Sequence, residues 1–152
     1  MSTTRITRHI AAPRAAVYRA LVDAKAVEHW MVPAGMTSQV HAFDPREGGT
    51  YRISLTYDAP TGTGKTSART DTHHGHFVRL VPSRQVIQTS EFETTDPQLR
   101  GEMTITIDLD DADGGTSLRA VHENVPPGVP PGDNELGWRL SLDKLAALVE
   151  RG

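Results

Sequence analysis

The chain contains no cysteine. Disulfides and thiolate chemistry are therefore excluded, and the sequence carries no redox hint of a compartment. Large side chains are scarce. Aromatics make up 5% of the residues and all apolar types 37%, so any core is lean. A lean core suits a fold that encloses a cavity, and equally suits a core that is merely small. No apolar run approaches the ~18 residues of a membrane-spanning helix. The N-terminus lacks the apolar stretch of a signal peptide. These features predict a soluble, cytoplasmic protein. Charge of one sign is never concentrated: the net charge is −3, and 13 arginines and 3 lysines are scattered. No nucleic-acid partner is expected from such a pattern. At 152 residues the chain reads as one domain, 1–152, with enough length for one good core.

What is present centres on Asp133 to Arg151, DNELGWRLSLDKLAALVER, the one long helical pattern. Asp133 is a good N-cap after a Pro-Gly-rich loop. At about 100° per residue, Trp138, Leu142, Leu145 and Val149 share a stripe, with Ser141 and Leu148 beside it. Leu136, Leu140 and Ala147 form a weaker apolar strip opposite, available for a dimer contact. At ~1.5 Å per residue the helix is roughly 27 Å long, enough to cross a whole sheet.

Nearly everything before it reads as strand. Thr3 to Ile10 alternates, with Ile6 and Ile10 on one face. Arg8 shares that face, at a sheet end or in a polar pocket. Pro13 opens a short helix and Asp23 a second one, through Trp30. Further strands are expected at Thr37 to Phe43, Tyr51 to Tyr57, His73 to Val81, Gln85 to Phe92, Glu102 to Leu109 and Thr116 to Asn124. The loop Asp58 to Thr72 is polar and Gly/Thr-rich. Val125 to Gly132, VPPGVPPG, is a stiff linker into the long helix. Six sequential strands on mostly short turns form an antiparallel meander. The fold class is therefore α+β: about seven strands curved around a long C-terminal helix, with two short helices after strand one.

Three constellations invite chemistry. Ala59 to Thr66, APTGTGKT, is one glycine short of a P-loop, and no helical period follows Lys65-Thr66. It reads as a flexible hairpin loop, not a phosphate site. His73, His74 and His76 lie near Asp71. His74 and His76 share a strand face, yet no third ligand is placed beside them, so no metal or other cofactor is expected. His122-Glu123 and His41 are acid-base candidates, but His122 and Glu123 point to opposite faces of a strand. His122 reads either as one polar group in a cavity or as a surface residue. No catalytic constellation is visible, and enzyme activity stays open.

Several stretches resemble the START-like or SRPBCC superfamily, the helix-grip fold. Ala12-Pro-Arg-Ala-Ala-Val-Tyr-Arg-Ala-Leu-Val-Asp23 is similar to its first helix and Val27-Glu-His-Trp30 to its second. Asp44-Pro-Arg-Glu-Gly-Gly49, Gly75-His-Phe-Val-Arg-Leu-Val-Pro82 and Gly101-Glu-Met-Thr-Ile-Thr106 continue the likeness. Asn134 to Leu145 looks like its final helix. The nearest branch is the one named for activators of the heat-shock-protein-90 ATPase. The resemblance implies a cavity between sheet and helix for an apolar small molecule. Its implied lining is Trp30, Tyr51, Ile53, Phe77, Met103, Ile105, His122, Trp138, Leu142 and Leu145. Trp30 and Trp138 would sit toward the mouth, with His122 and Arg8 at a polar end. Three functions follow from the resemblance: a small-molecule binding module, a polyketide cyclase or aromatase-like enzyme, or a co-chaperone-like interaction module. The oligomeric state is monomer or homodimer.

Overall fold

The computed structural model describes residues 1–32, 35–57 and 70–151. The elements run β1 (Ser2–Ile10), α1 (Arg14–Leu21), α2 (Ala24–Trp30), β2 (Met36–Phe43), β3 (Thr50–Tyr57), β4 (Thr70–Val81), β5 (Gln85–Phe92), β6 (Met103–Ala112), β7 (Gly115–Val125) and α3 (Pro131–Glu150). The expected P-loop-like segment, residues 59–66, lies outside the described residues.

All seven strands form one antiparallel sheet in the order β1-β7-β6-β5-β4-β3-β2. The six later strands are a meander, and β1 closes onto the last of them. β6 runs further than its apolar alternation, to Ala112, because Asp113-Gly114 alone makes the turn. Both residues have positive φ, 43° and 77°, and Ala112 pairs with Gly115 across them. Two positive φ values match the right-handed twist of a tight hairpin, which Asp-Gly supplies at little cost.

Alternation along the strands decides what faces α3. From β1 this inner face presents Thr4, Ile6 and Ile10. From β7 it presents Leu118, Ala120 and His122, and from β6 Met103, Ile105, Ile107 and Leu109. Val86, Gln88 and Ser90 follow from β5, then Phe77 from β4 and Tyr51 and Ile53 from β3.

α1 and α2 form a corner against one end of this face. Asp23 caps α2, its Oδ1 accepting from the backbone of Lys25 and Ala26 at 2.9 and 3.3 Å. The Trp30 indole donates to the carbonyl of Ala20 at 2.9 Å and locks the corner.

α3 begins three residues earlier than expected. Pro130 is its N-cap and Pro131 its first residue, while Asp133 lies in the first turn without capping. Proline at the first helical position loses no hydrogen bond, and an acid in the first turn suits the helix dipole. Ser141, Leu142, Leu145 and Ala146 are buried, while Trp138, Leu148 and Val149 pack partly buried against the core. Glu150 accepts from the Ala11 backbone at 2.9 Å, and Lys144 Nζ donates to the Val32 carbonyl at 2.7 Å. These contacts pin the second half of α3 to both ends of the helical corner.

A second, small apolar cluster closes the other end. Leu99, Val125 and Val129 pack together with Phe92. Gly128 donates to the Gln98 carbonyl at 2.6 Å, so the β5–β6 connection is docked on the Pro-Gly linker. A Cβ at Gly128 would lie 2.6 Å from that carbonyl oxygen, which leaves no room for another residue type.

Candidate functional site

The ten residues implied as a lining fall into two groups. Trp30, Tyr51, Ile53, Phe77, Ile105, Leu142 and Leu145 belong to the main apolar cluster, and Trp138 packs on its edge. Met103 and His122 are also buried, at 1% and 8% exposure, yet lie outside both apolar clusters. Trp30 lies deep at the α1–α2 corner, not toward a mouth. Arg8 is not at the His122 end either. It pairs across β7 with Leu118 and reaches out to Asp143 of α3 at 3.2 Å.

His122 is the centre of a polar cluster under the first half of α3. Its Nδ1 accepts from the Trp138 indole N–H at 3.0 Å and from the Asn134 amide at 3.1 Å. The same amide nitrogen donates to Thr4 Oγ1 at 2.9 Å. The other ring nitrogen, Nε2, lies 3.1 Å from Met103 Sδ. Burial pushes the His122 pKa down to about 4, with a smaller contribution from the nearby His73. Taking an imidazolium out of water is costly, so the ring is neutral at pH 7.

The polar character continues across the inner face. Ser90 pairs with Met103, and Gln88 with Ile105. Both side chains interact with the Tyr51 hydroxyl, partly offsetting the upward shift that burial gives this phenol. The hydroxyl itself donates to the Thr89 carbonyl. That carbonyl is available because Gly75 faces it. A Cβ at Gly75 would lie 2.0 Å from the Thr89 oxygen. The β4–β5 ladder is interrupted here, and Thr89 Oγ1 takes the His76 backbone N–H at 3.0 Å instead.

β4 holds inner-face residues that the sequence reading left out of the lining. The strand starts at Thr70, not His73, so Asp71, His73, Gly75 and Phe77 share the inner face. Asp71 is 3% exposed. The His73 ring meets Tyr51 edge-on, centroids 6.0 Å apart. The available signal was alternation. Once Phe77 is placed inside, the second and fourth residues before it must follow. His74 and His76 point the other way. His74 Nδ1 lies 3.1 Å from Glu93, which Arg52 also grips at 2.7 and 2.9 Å. Hydrogen bonding to Arg52, and then to His74, holds the Glu93 carboxyl below its ordinary range. Among the described residues no group of three or more His, Asp or Glu is placed to hold a metal ion. His41 is on the outer face, with its Nε2 2.7 Å from Ser54 Oγ. Glu123 is exposed, on the face opposite His122.

Two open clefts lie elsewhere and share no residue with the ten. One, about 460 Å³, runs between α2 and the end of α3 along His29, Lys144, Ala147, Leu148, Glu150 and Arg151. The other, about 400 Å³, flanks the β6–β7 turn.

The sheet, the helical corner and the long last helix match a known family across nearly the whole chain. The family described as activator of Hsp90 ATPase homolog 1-like protein matches residues 11–150. The chain belongs to this family. A solved protein from Chromobacterium violaceum is 36% identical to this member, covering 97% of this chain and 96% of that one at TM-score 0.87. A protein from Rhodobacter sphaeroides, 19% identical, superposes at TM-score 0.80 over 99% and 93% of the two chains. The Aha1 dimer from Colwellia psychrerythraea, 17% identical, gives 0.69 over 99% and 97%. These last two likenesses bear on the fold alone. No curated protein matches this family member. No helix among its described residues is long and apolar enough to cross a membrane.

Proposed function

We propose that this AHSA1-family chain is one cytoplasmic domain that binds an apolar small molecule between the sheet and α3. The ten residues from Trp30 to Leu145 named above are the proposed lining. The observation that carries this reading is the polar belt Tyr51, Gln88, Ser90 and His122 set among the apolar residues of the inner face. A core built only for stability gains little from buried polar groups, whose hydrogen bonds contribute modestly once lost hydration is offset. A binding site needs such groups: mostly apolar walls with a few placed donors and acceptors. Titration with fatty acids, flavonoids and steroids, read by tryptophan emission in wild type and in Trp30→Phe and Trp138→Phe, tests it. Saturable binding supports the site. No response to any ligand, together with a large stability loss in Leu142→Ala, means a solid core.

Two further readings each have an observation behind them. Asp71, His73, Tyr51 and His122 bring four titratable groups to one face, which favours a cyclase-like enzyme. The family description and the dimeric Colwellia relative favour a co-chaperone-like module or homodimer. For that module Leu136, 56% exposed on the outer strip of α3, is the natural contact.

A further inference from the structure

A neutral imidazole has one nitrogen that donates and one that accepts. In His122 the geometry fixes which is which. The indole nitrogen of Trp138 can only donate, and it points at Nδ1. Asn134 presents its amide nitrogen to the same atom and to Thr4 Oγ1. Turning that amide over would set its oxygen against Nδ1, two acceptors face to face. Nδ1 is therefore the acceptor, doubly satisfied, and the ring proton is on Nε2.

Among the described residues, that Nε2–H meets only the buried thioether of Met103, at 3.1 Å. A thioether is a weak acceptor, so a buried donor is matched with a poor partner. Met103 is also the side chain best suited to give way. It is unbranched and adaptable, and it lies outside both apolar clusters. Its strand neighbour across the sheet is Ser90, in the polar belt.

We propose that the Nε2–H of His122 anchors a neutral carbonyl oxygen of the bound molecule, seated where the Met103 sulfur now lies. The proposal rests on the small-molecule reading above and narrows the ligand class to apolar ketones, aldehydes and esters. Trp138, Asn134 and Thr4 act as positioning residues, because they hold the donor tautomer. The ring stays neutral at pH 7. It therefore offers a hydrogen bond without a charge, which suits a carbonyl better than a carboxylate. Fatty acids should accordingly bind worse than their esters.

The experiment compares 2-acetylnaphthalene with 2-isopropenylnaphthalene, which has CH₂ in place of the oxygen. Binding is measured to wild type, Met103→Ala and His122→Phe. In parallel, the His122 side-chain nitrogens of wild type are followed by ¹⁵N NMR. The expected result is at least tenfold tighter binding of the ketone to wild type, with a shift of Nε2–H on adding the ketone alone. Met103→Ala should bind both compounds more tightly and keep the preference, and His122→Phe should lose it. Equal binding of the two compounds, with Nε2–H unmoved, overturns the His122 anchor and leaves the small-molecule reading standing. Failure of both compounds to bind wild type and Met103→Ala overturns that reading as well. If His122→Phe does not fold, the wild-type NMR arm decides.

Discussion

Trp138 and His122 are joined by a hydrogen bond of 3.0 Å that runs from helix to sheet, indole N–H to imidazole Nδ1, with the rings edge-on at 5.8 Å. It fixes both where α3 crosses the sheet and which tautomer the histidine holds. Trp138→Phe keeps most of the apolar contact and removes the donor. The expected loss is about 1–2 kcal/mol, read as a lowered urea midpoint with unchanged slope. Asn134→Ala should show coupling to it in a double-mutant cycle, since both donors serve one acceptor.

The buried histidine also sets an acid limit. Its folded pKa of about 4 lies below the ordinary 6.5. Between those values the unfolded chain binds the proton and the folded chain does not. Stability from this group is complete above pH 6.5, falls as the pH drops toward 4, and changes no further below that. The full shift corresponds to about 3 kcal/mol. Denaturation midpoints measured from pH 7 to 4.5 should slope downward in wild type, and the slope should flatten in His122→Gln. The carboxylates of Glu93 and Asp111 have depressed pKa values, so their contribution is lost only at lower pH.

Two glycines should respond in opposite directions to the same substitution. Gly75→Ala drives a methyl group into the Thr89 carbonyl, at a place where the neighbouring backbone cannot retreat without breaking the Tyr51 contact. A loss of several kcal/mol is expected, on the order of the largest single-residue effects. Gly137, inside α3, has nothing within 4 Å of its missing Cβ. Gly137→Ala should therefore stabilise by about 0.5–1 kcal/mol through helix propensity. Thermal melts of the two variants provide the check.

Metal should be irrelevant to stability. His73 faces inward, whereas His74 and His76 face out and are engaged by Glu93 and Thr89. Dialysis against a chelator is expected to leave the melting temperature unchanged. A stoichiometric metal whose removal lowers that temperature would contradict this.

The legible part of the molecule was the part governed by periodicity. β5 was readable to the residue, and most other boundaries within one or two, because apolar alternation starts and stops with the sheet. Where a boundary slipped, local chemistry outweighed pattern. Pro131 starts α3 ahead of the more familiar cap at Asp133, and β6 runs into acidic residues because a two-residue turn suffices. The candidate site was half legible. The apolar lining was what the family resemblance implied, whereas the opposite facing of His122 and Glu123 follows from alternation. The polar belt did not stand out, because Gln88 and Ser90 are placed on the inner face only once Val86 fixes which side of β5 faces α3. The hydrogen bonds from Asn134 and Trp138 to His122 join a helix to a strand, and no spacing rule links them.

The pairing of the first strand with the last has a consequence for how the molecule is made. Ser2 to Ile10 find their partners only between Thr116 and Val125, and α3 must then pack against β1. On a ribosome β1 emerges before the other six strands and waits for all of β2 to β7 before it can be placed. Such non-local closure slows folding and leaves strand edges exposed meanwhile. The meander β2 to β6 can assemble by neighbour-to-neighbour pairing as it appears, whereas β1, β7 and α3 join late and together. Nascent chains stalled before β7 should therefore be the aggregation-prone species.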